Sequence, residues 1–141
     1  MFKIYSKGCE YAIRILTRIL KDNFEQKFLA VDICRKAKVP IHSARKILQL
    51  LVEYEYLDAV SGPGGGYKLK KNPDAITLLN IIKAIDGENV FEHCVMGLPQ
   101  CGSRNPCPVH NLWLKVKVEM IKEMNNKTLS QLMKDVKEKK T

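Results

Sequence analysis

Four residues that bind transition metals stand close together late in the chain, in the order Cys94-x6-Cys101-x5-Cys107-x2-His110. Thiolates ligate soft and borderline metals. Cysteine thiolates are the principal holders of iron–sulfur clusters, with histidine replacing cysteine in some [2Fe–2S] centres. Zinc in a Cys3His set is chemically acceptable too. Structural zinc ligands, however, usually come as two close pairs on a rigid knuckle. Here three cysteines are spread over 14 residues of a stretch rich in Gly, Pro and Asn, which suits the larger footprint of a cluster. Three free cysteines in a loop are the bland alternative. The remaining cysteines, Cys9 and Cys34, are expected to be packed small residues. A cysteine and a histidine can also make a nucleophile, but no third orienting group is evident, so enzyme chemistry is not expected.

A second constellation could meet a polyanion. From about Pro40 to Tyr54, Ala44, Ile47, Leu48 and Leu51 recur at i, i+3, i+4, i+7, the spacing of a buried helical stripe. His42, Arg45, Lys46 and Gln49 then project from the opposite face. Arg45 is placed to read guanine, because its fork meets O6 and N7 together. Leu57–Val60, the glycine-rich Ser61-Gly-Pro-Gly-Gly-Gly66, and Tyr67–Lys70 read as strand, tight reversal and strand. That run lacks the Lys-Ser/Thr and following helix of a phosphate-binding loop, so a nucleotide site is not expected.

These residues need a scaffold, and the rest of the chain supplies one. Ser6 is placed to cap a helix to about Lys21 through Ala12, Ile13, Leu16, Ile19 and Leu20. A short helix over Ala30–Ala37 should turn Val31, Ile33 and Cys34 inward, and Lys38-Val39-Pro40 reads as the turn into the next helix. Two short helices, a turn, an outward-basic helix and a basic hairpin make a winged helix-turn-helix. Thr77 caps a further helix that Gly87 ends. Residues 88–108 form a loop of a length that usually has a task. A long helix over about Val109–Met124 carries two apolar stripes, Leu112, Val116, Met120 and Met124 against Leu114, Val118 and Ile121. One stripe should pack on its own domain, leaving the other for a partner helix, hence a homodimer. A short last helix over Leu129–Val136 trails into lysines.

Charge agrees with this division. Residues 1–71 carry 14 Lys and Arg against 7 Asp and Glu, whereas residues 72–141 carry 10 against 8. The first half should therefore face phosphates, whose neutralisation releases condensed counterions. With 45% apolar residues the chain can build a core. No apolar run reaches the ~20 residues of a membrane span, and the first residues lack a signal peptide's apolar stretch; a cytoplasmic protein is expected.

Together the motifs resemble the IscR/NsrR family of bacterial winged-helix regulators. The resemblance rests on Ser6-Lys7-Gly8 with Tyr11-Ala12, the GPGGGY wing, the three cysteines, Cys107-Pro-Val-His110-Asn-Leu-Trp113 and Asn126-Lys-Thr-Leu-Ser-Gln-Leu132. It implies a homodimer crossing its long helices, with cluster state controlling binding to double-stranded promoter DNA. By it, Cys94, Cys101 and Cys107 are cysteine ligands, and His110 matches the histidine completing a [2Fe–2S] site, favoured over [4Fe–4S]. Glu10 falls where nitric-oxide-sensing relatives place an acidic ligand from the partner subunit, and is the alternative fourth ligand. Ser61 stands where relatives often begin the wing with Arg, leaving Lys68 or Lys70 to meet phosphate.

The expectation is therefore a mainly α protein with a small β wing. Residues 1–87 would form the DNA-binding domain, 88–108 the cluster loop, and 109–141 the dimerisation helix and tail. His42, Ser43, Arg45, Lys46, Gln49, Ser61, Gly64 and Lys68 make up the DNA-binding set. Function would be a cluster-dependent transcriptional regulator, with a repressor in view, sensing redox or nitric oxide status. The alternative is a zinc-stabilised or metal-free winged-helix protein without sensing.

Overall fold

The computed structural model describes residues 4–19, 26–92, 96 and 104–139, the side chains of the last helix as far as residue 136. Three helices, α1 (Lys7–Leu16), α2 (Ala30–Ala37) and α3 (Ile41–Glu53), precede a two-stranded antiparallel wing, β1 (Leu57–Val60) and β2 (Gly66–Leu69). A single 3-10 turn (Pro73–Ala75) then leads to α4 (Leu78–Asp86), α5 (His110–Asn126) and α6 (Leu129–Lys139). No helix among the described residues is long and apolar enough to cross a membrane.

The first helix begins where its sequence says it should. The Ser6 hydroxyl accepts the Cys9 backbone N–H at 3.1 Å, satisfying one of the first-turn donors. Asp86, at the far end of α4, takes both the Ser6 backbone N–H (2.8 Å) and the Ser6 hydroxyl, so the cap is itself held by another helix. The helix is shorter than its periodicity suggests. Thr17 donates its hydroxyl back to the Arg14 carbonyl at 3.0 Å, and the chain continues in turns rather than in helix to Ile19.

Helix α2 has the predicted bounds, but its buried face is Ile33, Cys34 and Ala37, and Val31 is exposed. Val31 lies one position off the i, i+3, i+4 stripe, so apolar type alone misplaced it. Lys38 takes the left-handed conformation (φ 56°, ψ 45°) and closes α2 with its own N–H on Arg35 O. Helix α3 buries the four predicted residues, Ala44, Ile47, Leu48 and Leu51.

One core gathers α1, α2 and α3 with Leu57 and Leu69 of the wing, Ile76, Ile81, and Leu129 and Met133 of α6. The C-terminal helix is therefore part of the same core as the helix-turn-helix. Thr128 and Gln131 cap it reciprocally (Thr128 N–H to Gln131 Oε1 3.0 Å, Gln131 N–H to Thr128 Oγ1 3.3 Å). The Leu129 N–H donates to Ile76 O at 2.7 Å. A second cluster, Cys9, Leu79, Ile82, Phe91 and Met124, joins α1 and α4 to the far end of α5.

Helix α5 departs from the expected division into one covered and one open stripe. Both stripes meet the core only at their C-terminal ends, through Met120, Ile121 and Met124. Toward its start both are open: Leu112 is 65% exposed and Val118 57%, with Leu114 and Val116 exposed beside them. The helix leaves the domain as it runs toward its N-terminus, so neither stripe is covered at Leu112, Leu114, Val116 or Val118.

Candidate functional site

The outward face of α3 follows directly from the burial of the other. His42, Arg45, Lys46 and Gln49 are exposed, and Ser43 is half-buried at the edge of the stripe. Neither Arg45 nor Lys46 makes an ion pair among the described residues, so their charge is available to an outside partner. The turn before α3 is braced from α1. The Arg14 guanidinium donates to the Lys38 carbonyl at 2.7 Å, placing a cation against the carbonyl end of α2. Arg14 also lies 3.9 Å from Glu10 and over the Tyr11 ring. Sequence periodicity gives no signal for this brace, because it joins residues on different helices.

In the wing, Leu57 pairs with Leu69, Asp58 with Lys68, Ala59 with Tyr67 and Val60 with Gly66. The loop between turns on Gly62 (φ 90°) and Gly64 (φ 72°), conformations that a residue with a Cβ adopts only at a cost. A third segment joins the outer edge: the Phe28 N–H donates to Tyr67 O at 2.7 Å and the Tyr67 N–H to Phe28 O at 2.8 Å. A single bridged pair is too short to leave a period-2 signature, and the sequence did not predict it. Ser61, Gly64 and Lys68 are all exposed, and Lys68 makes no ion pair among the described residues. Lys70 reaches Glu55 at 3.4 Å, and Lys71 lies over the Tyr56 ring at 4.7 Å. Of Lys68, Lys70 and Lys71, all exposed, Lys68 alone makes neither an ion pair nor a ring contact among the described residues.

The metal-ligand candidates divide. Cys94 and Cys101 lie outside the described residues. Cys107 and His110 are brought onto one turn at the start of α5: the His110 N–H donates to Cys107 O at 3.0 Å. Cys107 is buried and His110 half-buried. A thiol and an imidazole three residues apart on such a turn are a soft and a borderline donor, and this chemistry fits half of a cluster or zinc ligand set. No group of three or more His, Cys, Asp or Glu close enough to share a metal occurs among the described residues. One turn further along α5, the Trp113 indole N–H is buried without a hydrogen-bond partner among them.

Glu10 lies on α1, half-buried, 3.4 Å from Lys7 and 3.9 Å from Arg14. The i, i+4 pairing with Arg14 is the ordinary helix charge contact. Cys9, beside it, is fully buried, and burial, aided by the Asp86 carboxylate, pushes its thiol from 9.0 up to about 12. Cys34 is buried too, so both cysteines are packed as their surroundings predict.

Residues 5–135 match the model of the Rrf2 family, described as an iron-dependent transcriptional regulator. The chain is 28% identical over 133 residues to the HTH-type transcriptional regulator IscR of Vibrio campbellii, covering 94% of this chain and 78% of that one. Among solved structures, T. potens IscR superposes with a TM-score of 0.75 at 20% identity, over 99% of this chain and 92% of that one. CymR, the global cysteine regulator of B. subtilis, does so with a TM-score of 0.75 at 22% identity, over 95% of this chain and 98% of that one. These two structural likenesses speak for the fold, and the family match for the role. The relatives are regulators rather than enzymes, and the chain belongs to the Rrf2 family of winged-helix transcriptional regulators.

Proposed function

We propose that the chain is a cytoplasmic, homodimeric regulator that binds promoter DNA under the control of an iron–sulfur cluster, as a repressor in at least one cluster state. The observation that carries this reading is the turn holding Cys107 and His110, because it is also the first turn of the helix whose apolar residues are left open. A ligand set completed by Cys94 and Cys101 would tie the 88–108 loop to the start of α5. His110 is the favoured fourth ligand and Glu10 of a partner subunit the alternative, with [2Fe–2S] favoured over [4Fe–4S]. When bound, such a cluster supplies reactivity toward oxidants and nitric oxide.

The residues of the chain convert that tie into a DNA response. Pairing of two α5 helices through Leu112, Leu114, Val116 and Val118 would set the separation of the two α3 helices. Two-fold regulators of this kind read half-sites about one helical turn, roughly 34 Å, apart. On each half-site Arg45 reads a base edge while Lys46, His42, Ser43 and Gln49 fix the helix in the major groove. Ser61, Gly64 and Lys68 of the wing lie along the neighbouring backbone. Residues 1–87, 88–108 and 109–141 then act as reader, sensor, and dimer helix with C-terminal tail, the α6 part of the last packing back on the reader. A coupling of ~1–3 kcal/mol between loop order and helix spacing would change affinity roughly 5–150-fold, enough for a switch.

Anaerobic purification with an absorption spectrum and iron, sulfide and zinc analysis tests this directly. Stoichiometric iron and sulfide, lost in Cys107→Ala, with different footprints for cluster-loaded and cluster-free protein, is the expected result. Zinc alone, or no metal after reconstitution, would leave a zinc-stabilised or metal-free DNA-binding protein and remove the sensor.

A further inference from the structure

The wing loop itself carries no charge: Ser61, Gly62, Pro63, Gly64 and Gly65 bring only backbone to its tip. A cation nevertheless sits there, supplied from a distant part of the chain. The exposed Lys27 donates its ammonium to the Gly64 carbonyl, across 37 residues of sequence. We propose that Lys27 is a DNA-contacting cation of the wing in addition to Lys68, held at the loop tip so that its charge meets phosphate oxygens of the DNA backbone. The inference rests on the reading that the wing lies along DNA.

Three observations place the ammonium there as a built feature. The reciprocal Phe28–Tyr67 hydrogen bonds at 2.7 and 2.8 Å fix the residue next to Lys27 against β2. Packing of the Phe28 and Tyr67 rings, with centroids 6.1 Å apart, adds to that hold. Gly66 makes the approach possible, since a Cβ there would collide with the Phe28 carbonyl and crowd the Lys27 Cγ at 3.2 Å. The glycine run therefore does more than reverse the chain. Its last member admits a third segment, and that segment delivers the charge. An ammonium has three donors. With one on Gly64 O and the side chain exposed, others remain for a phosphate, and the peptide bond orients the cation instead of neutralising it.

The test is the salt dependence of binding, which reports the number of phosphates neutralised. The full chain, purified anaerobically, is titrated with a mixed-sequence duplex of about 30 base pairs at roughly 50 to 200 mM salt. Lys27→Met should lower the log–log slope by about 0.9 per bound chain, the loss of one phosphate contact at each wing, and Lys27→Arg should restore it. A Lys27→Met protein that binds more weakly by the same factor at every salt would make Lys27 a latch only and overturn the proposal. So would an unchanged slope. Lys68→Met separates the two levels. If it lowers the slope and Lys27→Met does not, the wing faces DNA without Lys27; if neither does, the reading of the wing fails as well.

Discussion

Arg45 and Lys46 stand side by side on α3, both exposed and both without an ion pair among the described residues, yet they should behave differently. A guanidinium presents two parallel donors and can discriminate guanine, whereas an ammonium is a point charge suited to phosphate. Arg45→Ala should therefore cost about 1–3 kcal/mol on a preferred duplex and relax preference at one base position. Lys46→Ala should weaken all sequences alike and lower the salt slope by about one contact per chain. Selection of bound duplexes from a randomised pool, followed by titration, distinguishes them; a uniform loss for Arg45→Ala would move base reading to another residue. The outward placement of both residues was legible, because four buried positions on one helix determine the opposite face. Whether Cys107 met His110 was legible as well, since three residues along a turn is a local relation. Lys27 was not: it reaches Gly64 only because a non-local bridge carries it there.

Between elements, the junction of α1 with α4 is where buried chemistry accumulates. Cys9 is fully enclosed with Leu79, Ile82, Phe91 and Met124, and its thiol is raised from 9.0 to about 12, first by burial and then by Asp86. A folded value above the unfolded one means that the native state holds its proton more tightly. That contribution is fully present below pH 9 and falls as pH rises from 9 toward 12, by up to about 1.4 kcal/mol per unit. Cys9→Ala should start from lower stability, because a methyl leaves space in the cluster, but lose less between pH 9 and 11. Tyr5, raised first by burial and then by the Cys9 thiolate, loses part of its own shift in the variant, so the comparison reads the two groups together. Parallel urea midpoints across that range would show that the thiol is not held as described.

The elements themselves were largely readable, since caps and stripes are local. Ser6, Thr77 and Gly87 mark their helix ends as their side chains or φ values require. What escaped were relations across elements: the Asp86 hold on Ser6, the Arg14 brace on the α2–α3 turn, and the Phe28 edge of the wing. The inward reading of Val31 failed for the same reason, because apolar type names a tendency and only neighbours decide burial.

At the scale of the whole molecule, α5 is the element the single chain does not satisfy. Its last turns enter the core through Met120, Ile121 and Met124, while Leu112, Leu114, Val116 and Val118 stand exposed along the preceding turns. Leaving several large apolar side chains in water on adjoining turns is costly, and a second subunit packed around α5 would cover them. Periodicity alone does not say which stripe turns inward, because two stripes on one helix look alike whether the cover comes from within or from a second chain. Val118→Glu places a charge at the C-terminal end of the open segment, on a side chain that is itself 57% exposed. Sedimentation should then show a monomer, with helix content and unfolding of the winged domain little changed, because none of the buried residues is touched. Affinity for a two-half-site duplex should fall toward that of one reader, while the salt slope per chain stays the same, as each wing and α3 still meets its own phosphates. A protein that remains dimeric would place the subunit contact elsewhere, and the Cys107–His110 turn would lose its route to the spacing of the two recognition helices.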